Sequence, residues 1–304
     1  MIIITGQTGT GKTKLAIVYS QKYNGEIINC DSRQVYQYLD IITGKDIPPD
    51  SQNKFQIVKK LENLVIGFYP INQTKIWLYD IVNPKINFSS YEWVKCASFV
   101  INQIFEQKKT PIIVGGTYFY LKHLLYGFET ENIPPNSDLR QNLTKKSVFQ
   151  LQKILENLNK TAFNNLNQSD KNNPHRLIRK IEIELWKKKN KQTMVKLTRA
   201  PIKFQKFIGL RFKDKENLKK AITERVNQRL KKGAIDEVKR LIKMGFTEKD
   251  PGLNTIGYKE IFSYVKGKIN YEEAIKKWVQ SEIKYTKRQL TFMKKDKNIK
   301  WIEV

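Results

Sequence analysis

Eight consecutive residues decide the fold of this chain: Gly6, Gln7, Thr8, Gly9, Thr10, Gly11, Lys12 and Thr13. They follow an apolar run, Ile2-Ile3-Ile4, that predicts a buried strand. They precede residues 12–23, which predict a helix with one face formed by Leu15, Ala16, Val18 and Tyr19. A strand, a glycine-rich loop ending in Lys-Thr and a helix are the context of a phosphate-binding P-loop. A Gly/Thr-rich turn that matched by chance would lack these flanking elements.

The loop has the chemistry of an anion site. Its glycines let the backbone turn tightly, so that successive amide N–H groups point inward at an anion. The helix N-terminus adds partial positive charge and Lys12 adds a full one. The Thr13 hydroxyl can ligate Mg²⁺. The sequence therefore predicts a site for a di- or triphosphate with Mg²⁺.

The composition points to a polyanionic partner. The 304 residues include 56 Lys and Arg against 29 Asp and Glu, which gives a net charge of +27. Such a charge attracts polyanions, of which nucleic acid is the obvious one. The alternative is a sequence biased toward Lys, Asn and Ile, with its charge simply solvated. We favour the polyanion, because a P-loop kinase of small metabolites does not need such a surface.

The remaining compositional features predict a cytoplasmic protein. Cys30, Cys96, His123 and His175 fit neither a metal-ligand spacing nor a disulfide framework. The sequence starts in a strand without a signal peptide, and no apolar run reaches membrane-spanning length. We therefore expect a reducing compartment and no membrane partner. A monomer is a separate expectation, which these features do not fix.

A second predicted strand, at 26–30, ends at Asp31-Ser32-Arg33-Gln34. The carboxyl ends of strands line the ligand crevice of a doubly wound sheet, which predicts Asp31 beside the P-loop, at the next strand end. A carboxylate there can accept a proton, hold a metal-bound water or cap the following helix. The residues alone leave these roles open.

Further strands are predicted at 75–82, 111–114 and 204–212, and helices at 91–107 and 118–126. The strand at 111–114 ends in Gly115-Gly116-Thr117, where nucleotide-hydrolysing P-loop proteins usually carry an acid that holds Mg²⁺. The glycines permit close approach, and the Thr117 hydroxyl can bond a phosphate or a base. This departure indicates phosphate binding without hydrolysis of a terminal phosphate.

Short polar helices rich in Lys, Asn and Gln are predicted from 130 to 198. Within them His175 opens a basic helix on which Arg176, Arg179 and Lys180 share one surface. A solvated face is the alternative, but the net charge favours contact with RNA. The predicted fold class is thus α/β: a P-loop NTPase-like core with a parallel sheet flanked by helices, over 1–129 and 199–304, plus an all-helical insertion over 130–198 that we expect to contact RNA.

Six motifs make the sequence resemble the tRNA dimethylallyltransferases, also called isopentenyl-pyrophosphate:tRNA transferases. They are GQTGTGKT at 6–13, DSRQVY at 31–36, GGTYFYLKHLLYG at 115–127, HRLIRKIEI at 175–183, IGYKEI at 256–261 and YTKRQLTF at 285–292. The resemblance covers nearly the whole chain. Its P-loop is shared with many kinases, whereas the DSxQ, GGT and KRQ-T elements in this order are far more specific.

The resemblance implies a prenyl transfer to RNA. Dimethylallyl diphosphate would pass its five-carbon group to the exocyclic amine of the adenosine 3′ to the anticodon, in tRNAs that read codons beginning with U. The insertion would clasp the anticodon stem-loop. A P-loop nucleoside or small-molecule kinase that uses ATP, and an RNA-binding module switched by a nucleotide, are the alternatives.

The resemblance also implies roles for single residues. Asp31 matches the base that takes the amine proton, and Thr117 and Arg225 match positions that contact the reacting groups. The loop from Gly6 to Thr13 would hold the diphosphate, with Thr13 on Mg²⁺. The positions that match tRNA contacts are Asp31, Ser32, Arg33, Gln34, Thr117, Arg140, His175, Arg176 and Arg179.

The chain departs from the family pattern in two places. Ile42 and Gly44 stand where the family usually has glycine and alanine. Ile76 and Trp77 stand in a region where many members carry a histidine.

Overall fold

The fold is given by a computed structural model, which describes residues 1–45, 47–48, 51, 54–71, 73–128, 130–131, 133–191 and 202–304. The chain divides into two units. The first comprises Met1–Leu125 and Ile202–Val304, and the second comprises Tyr126–Pro201. The boundaries predicted at 129/130 and 198/199 involve residues 129, 198 and 199, which lie outside the described residues.

An eight-stranded sheet forms the centre of the first unit, in the order β3-β4-β5-β2-β6-β1-β7-β8. Its strands are β1 Ile2–Gly6, β2 Gly25–Asn29, β3 Gln56–Lys60, β4 Val65–Ile71, β5 Thr74–Trp77, β6 Thr110–Val114, β7 Lys206–Arg211 and β8 Lys300–Glu303. The strands from β5 to β8 in this order pair in parallel, and β3, β4 and β5 form an antiparallel edge. Every residue of β1 and β2 is buried, as expected of parallel strands covered on both faces. The predicted mostly parallel sheet is confirmed.

The position of Asp31 in this sheet differs from the prediction. β6 pairs with β1 on one side and with β2 on the other, so it separates the P-loop strand from the strand that leads to Asp31. The prediction that Asp31 follows the strand next to the P-loop strand is therefore wrong. Two strand spacings, about 10 Å, separate the two strand ends. The turn that follows β6 lies between them.

The helices follow the sequence closely. They are α1 Lys12–Lys22, α2 Ser90–Glu106, α3 Tyr118–Tyr126, α4 Ser137–Thr144, α5 Val148–Leu158, α6 Lys160–Asn164, α7 Gln168–Lys171, α8 Pro174–Lys189, α9 Lys215–Lys231, α10 Ala234–Lys243, α11 Tyr258–Val265 and α12 Tyr271–Met293. The predicted helices at 12–23, 91–107 and 118–126 are confirmed. The predicted apolar face of α1 is wrong at Val18, which is 52% exposed, because Ala16 and Ser20 form the buried face.

The strand predicted over 75–82 is wrong beyond Trp77. Leu78 and Asp80 have φ angles of 67° and 57°, in the left-handed region that no strand residue adopts. Asp80 is held there by tertiary contacts, since its carboxylate accepts a hydrogen bond from the Tyr69 hydroxyl at 2.7 Å and pairs with Lys45 at 2.5 Å. Long-range contacts thus end this strand.

The described part of the second unit is built from helices α4 to α8. Each begins with an asparagine or serine whose side chain accepts a hydrogen bond from the first helical turn: Asn136, Ser147, Asn159, Asn167 and Asn173. The asparagine-rich composition of this stretch therefore supplies helix caps. The helices enclose an apolar cluster formed by Leu143, Leu151, Leu155, Leu177, Ile178 and Ile181.

Candidate active site

The predicted P-loop is a turn anchored to the neighbouring strand β7. Gly6 has a φ of 138°, and a Cβ there would lie 2.1 Å from the Leu210 carbonyl oxygen, so only glycine fits. The next residue, Gln7, donates its N–H to the Leu210 carbonyl at 3.0 Å. Its side chain accepts a hydrogen bond from the Phe212 N–H at 2.9 Å. The main chain and the side chain of Gln7 thus both hold the start of the loop against residues 210–212.

The cationic end of the loop folds back on Gln7. The Gln7 carbonyl accepts hydrogen bonds from Lys12 Nζ and Thr10 Oγ1, both at 2.7 Å. Gly11 immediately precedes the first residue of α1. The N–H groups of the first turn of α1, which have no acceptor within the helix, therefore lie at the loop. This arrangement gathers positive charge and N–H donors in one place, as anion binding requires.

The turn after β6 contacts both the P-loop strand and the strand before Asp31. Gly115 donates its N–H to the Ile4 carbonyl at 3.1 Å, and a Cβ on it would lie 1.9 Å from the Cys30 carbonyl oxygen. A Cβ on Gly116 would lie 3.6 Å from the Gly6 carbonyl oxygen. The double glycine therefore lets this turn fill the space between the two strand ends.

Asp31 and Thr117 are brought together at this turn. The Thr117 hydroxyl accepts a hydrogen bond from the Ser32 N–H at 3.0 Å and lies 3.3 Å from Ser32 Oγ. One carboxylate oxygen of Asp31 accepts the Arg33 N–H at 2.8 Å. Residues 32–35 form a turn, so Asp31 caps a turn and does not cap an α-helix. The second oxygen of this half-buried carboxylate accepts no hydrogen bond from the part of the chain that the structure describes.

Two arginines of α9 meet beside the loop at 40–45. A Cβ on Gly44 would lie 2.7 Å from Arg225 Nη2 and 2.9 Å from Arg229 Nη2. Arg229 pairs with Glu282 at 2.9 Å. Burial and the charge of Arg225 lower the pKa of Arg229 to about 10, although Glu282 opposes the shift. Among the described residues Arg225 has no hydrogen-bond or ion-pair partner, and its Nε is buried.

A buried carboxylate that the sequence analysis missed holds this loop. Glu237 accepts hydrogen bonds from the N–H groups of Asp40, Ile41 and Ile42 at 2.9, 2.7 and 3.2 Å, and from the Tyr258 hydroxyl at 2.6 Å. Its place on the apolar face of α10, with Val238 and Leu241, is the signal that could have found it. Gln34 also donates to the loop, at the Gly44 carbonyl, 2.9 Å away.

A second missed residue, Gln289 of α12, bridges the P-loop and the Gly115-Gly116 turn. Its Oε1 accepts hydrogen bonds from the Thr8 N–H at 3.3 Å and the Thr8 hydroxyl at 3.1 Å. Its Nε2 donates to the Gly116 carbonyl at 3.0 Å. The signal in the sequence is again a polar residue on the buried face of a helix.

Comparison with known proteins agrees with this geometry. The family model described as IPP transferase matches residues 34–296. The chain belongs to the IPP transferase family. The tRNA dimethylallyltransferase of Clostridioides difficile is 33% identical over 308 residues, with 100% of this chain and 91% of that protein covered. That of Endomicrobium trichonymphae is 34% identical over 295 residues, with 97% and 91% covered.

Solved structures of the IPP transferase family match as well. The crystal structure of tRNA delta(2)-isopentenylpyrophosphate transferase from Staphylococcus epidermidis matches with a TM-score of 0.65 and 31% identity, covering 99% of this chain and 92% of that one. A eukaryotic dimethylallyltransferase, described as acting on tRNA, matches with a TM-score of 0.75 and covers 100% and 73%. Since its identity is 24%, that match shows the fold alone.

Three arginines of the second unit that were predicted to contact tRNA pair with carboxylates of the same unit. Arg140 makes two hydrogen bonds to the buried Glu182, at 3.0 and 2.8 Å. Arg179 pairs with the same carboxylate and donates to the carbonyls of Thr130 and Ile133 at 3.0 and 2.9 Å. The exposed Arg176 pairs with Asp170, and His175 is exposed. Contact of these residues with tRNA stays a prediction.

The departures from the family pattern have local structural roles. Ile42 is buried, and its Cγ2 would lie 2.5 Å from a Cβ on Gly257, so it fills the space beside that glycine. Gly44 leaves room for the two guanidinium groups. The Trp77 indole N–H donates to the buried carboxylate of Glu26 at 2.8 Å, so this side chain belongs to the core.

Two further features concern reactivity and location. Both cysteines are buried, and burial followed by the charge of Asp31 raises the pKa of the Cys30 thiol. No helix among the described ranges is both long and apolar enough to span a bilayer.

Proposed function

We propose that this chain transfers a dimethylallyl group from dimethylallyl diphosphate to the exocyclic amine of the adenosine 3′-adjacent to the anticodon in tRNA, releasing diphosphate. The preferred substrates are tRNAs that read codons beginning with U. Membership of the IPP transferase family supports this reaction. The observation that carries it is the Gly115-Gly116-Thr117 turn, which packs against Gly6 on one side and Cys30 on the other. An anion cradle and a carboxylate thus face the same turn.

The donor side is suited to a departing diphosphate. The allylic carbon gains cationic character as the bond to oxygen breaks, so negative charge accumulates on the leaving group. The loop amides, Lys12 and the guanidinium of Arg225, which has no partner among the described residues, supply positive charge for it. Arg225 also repels Arg229, and an anion relieves that repulsion.

The donor set fits Mg²⁺ held mainly by the substrate. The half-buried Thr13 hydroxyl lies in the first turn of α1 and accepts no hydrogen bond from the described residues. No three His, Cys, Asp or Glu side chains in those residues group as a metal cage. Mg²⁺ often takes most of its ligands from phosphate and water, so one protein hydroxyl suffices. The ion would neutralise charge on the diphosphate.

The acceptor side is suited to a weakly nucleophilic amine. The lone pair of an adenine amine is delocalised into the ring, so removal of its proton by Asp31 assists attack. The Thr117 hydroxyl accepts a hydrogen bond from the Ser32 N–H and thereby holds the backbone next to Asp31 in place. The spacing of about 10 Å between the strand ends leaves room for a five-carbon group and the edge of a base.

The RNA substrate accounts for charge that the small donor does not need. Both units are basic, with 15 Lys and Arg against 7 Asp and Glu in residues 126–201 and the rest of the +27 in the first unit. An anticodon loop presents unpaired bases, so extruding one costs less than extracting it from a duplex. We propose the anticodon stem-loop as the partner of a cytoplasmic, monomeric enzyme.

Removal of the Asp31 carboxylate tests the proposal. Asp31→Asn is expected to lower turnover by about 10²–10⁴-fold, the range of a positioned base, while tRNA binding stays close to wild type. The assay incubates the enzyme with unmodified tRNA, Mg²⁺ and dimethylallyl diphosphate and weighs the product nucleosides. Asp236→Asn, at an exposed side chain of α10, serves as the matched control.

The same assay separates the alternatives. ATP consumption with a nucleoside acceptor, and none of dimethylallyl diphosphate, would identify a kinase. Tight, nucleotide-sensitive tRNA binding without a mass change would identify a switch. If Asp31→Asn turned over at the wild-type rate, Asp31 would serve only to cap the turn at residues 32–35.

A further inference from the structure

The buried face of α12 carries polar side chains where a core helix usually carries apolar ones. Glu282, Thr286 and Gln289 are at most 7% exposed and follow Ala274 and Trp278 along the same face. Buried polar groups need partners, so each indicates a specific contact. Glu282 pairs with Arg229, and the Thr286 hydroxyl donates to the Glu282 carbonyl at 2.8 Å. Gln289 alone joins two segments of the chain other than its own helix.

The Gln289 carboxamide is used at both ends. Its oxygen accepts two hydrogen bonds from Thr8, a residue 281 positions away in the P-loop. Its nitrogen donates to Gly116, 173 positions away. The Gly116 contact is close, since a Cβ on Gly116 would lie 2.5 Å from Gln289 Nε2. One side chain therefore fixes the P-loop against the turn after β6.

The contacts continue from that turn to the carboxylate. Gly116 precedes Thr117, whose hydroxyl accepts the N–H of Ser32, and Ser32 follows Asp31. On the other side Thr8 follows Gln7, whose carbonyl holds Lys12. An unbroken set of hydrogen bonds and peptide links thus joins the diphosphate side to the acceptor side through Gln289.

We propose that Gln289 is a positioning residue that sets the separation between the P-loop and the Asp31–Thr117 side of the site. The inference rests on the proposed function, because separation matters only where two substrates react across it. A misplacement of about 1 Å between reacting groups lowers a rate by about 10²-fold. Gln289 acts through Thr8 and Gly116.

Only a carboxamide of this length provides both contacts. Glutamate keeps acceptors for Thr8 but turns an oxygen toward the Gly116 carbonyl, and two acceptors repel each other. Alanine leaves the Gly116 carbonyl and the Thr8 N–H without their partner. The neighbouring Tyr285 is also hydrogen-bonded to the Gln289 side chain, so both variants change this contact as well. Burial and then the charge of Asp31 raise its pKa to about 12, so it stays neutral near pH 7.

Steady-state kinetics of Gln289→Glu and Gln289→Ala test the inference in the full chain. Both are expected to lower kcat by about 10²-fold, while the affinities for tRNA and for dimethylallyl diphosphate, each measured alone, stay close to wild type. Gln280→Glu, at an exposed position of the same helix, is the matched control and keeps wild-type kcat. A purely structural role would instead lower the folded fraction and leave kcat per folded molecule unchanged, which overturns the inference.

Thr8→Val tests the same contact from the loop. It removes the hydroxyl that donates to Gln289 from a half-buried position, so it decides the matter if the Gln289 variants do not fold. We expect a lower kcat, and an effect that does not add to that of Gln289→Glu. A normal kcat, or strictly additive effects, would overturn the inference.

The activity of the wild-type enzyme distinguishes failure of the proposed function from failure of this inference. A wild-type enzyme that adds no prenyl mass to tRNA overturns the proposed function and this inference with it. A wild-type enzyme that prenylates tRNA, together with a Gln289→Glu variant that does so equally fast, overturns only the inference.

Discussion

Arg225 in the first unit differs from Arg140 and Arg179 in the second unit in what neutralises its charge. In the first unit, Arg225 has no partner among the described residues and lies beside the cation Arg229. In the second unit, Arg140 and Arg179 share the buried carboxylate of Glu182. Both regions look alike in the sequence, as basic residues on amphipathic helices. Their partners differ: Arg140 and Arg179 join helices through Glu182, whereas Arg225 has no partner among the described residues, which is why we propose a ligand for it.

This comparison limits what net charge says about binding. A guanidinium that is already paired gains little from a new anion, because it must first give up its carboxylate. An unpaired, partly buried guanidinium is destabilised until an anion arrives. Among these arginines and their partners, the largest effect on chemistry is therefore expected at Arg225, and the largest effect on stability in the second unit at Glu182.

Replacement of Arg225 should have the largest effect of the three changes that follow. Arg225→Gln is expected to lower kcat/KM by about 10²–10³-fold, since it removes a cation from the developing diphosphate charge. Folding stability should not fall, because the repulsion with Arg229 disappears. The nucleoside mass assay and thermal unfolding measure the two effects. Arg240→Gln, whose guanidinium donates to the Tyr38 carbonyl, is the control; equal kcat/KM in both variants would refute the ligand role.

Replacement of Glu182 should act on stability. Glu182→Gln is expected to lower the free energy of opening of α8 by ~2 kcal/mol, because Arg140, Arg179 and the Asn136 N–H lose their shared carboxylate. Hydrogen exchange of the α8 amide groups measures it. Glu156→Gln, at an exposed position of α5, should change nothing.

Acidification of the wild type should reproduce this loss. Burial by itself raises the pKa of Glu182, but hydrogen bonds from Arg140, the Asn136 N–H and Arg179 outweigh it and lower the pKa. A carboxyl with a lowered pKa in the folded state contributes stability fully above its ordinary value of 4.5, and loses it as the pH falls through the lowered pKa. Equal acid sensitivity of wild type and Glu182→Gln would contradict the assignment.

The smallest effect is expected at Arg176, the most exposed of the paired arginines. Arg176→Ala should reduce the slope of log affinity for tRNA against log salt by about 1, as expected for one phosphate contact. Asp170→Asn releases the same guanidinium and should strengthen tRNA binding. Two variants that both bind tRNA with wild-type affinity and slope would show that this pair only serves the fold.

Local patterns predicted the parts of the fold that depend on adjacent residues. Ile2-Ile3-Ile4, the P-loop and α1 follow one another within 22 residues, so their periodicity and glycines suffice. The edge strand β3 is exposed at every residue and shows no apolar alternation, so no pattern marks it. The stop at Leu78 depends on contacts with residues far away in the chain.

The residues of the candidate site also divide into those that local sequence predicts and those that depend on contacts far along the chain. Asp31, Thr117 and the P-loop lie at strand ends, where the sequence predicts ligand-binding residues. The insertion of β6 between β1 and β2 is a choice of strand order, which local residues do not encode. Gln289 and Glu237 are polar residues on buried helix faces, and their partners become visible only in the folded chain. The roles of Asp31, Thr117 and Arg225 stay predictions until the variants are measured.

The central place of β1 has a consequence for synthesis on the ribosome. β1 pairs with β6 and β7, so its three isoleucines have no neighbouring strand until Val114 has left the exit tunnel. The last hydrogen bonds of the P-loop wait longer still, because Gln289 is translated 281 residues after Thr8. A nascent chain therefore carries an unpaired apolar segment until β6 emerges, during which chaperones can bind it. Released fragments that end before α12 would contain the whole P-loop but lack Gln289, whose side chain hydrogen-bonds to Thr8.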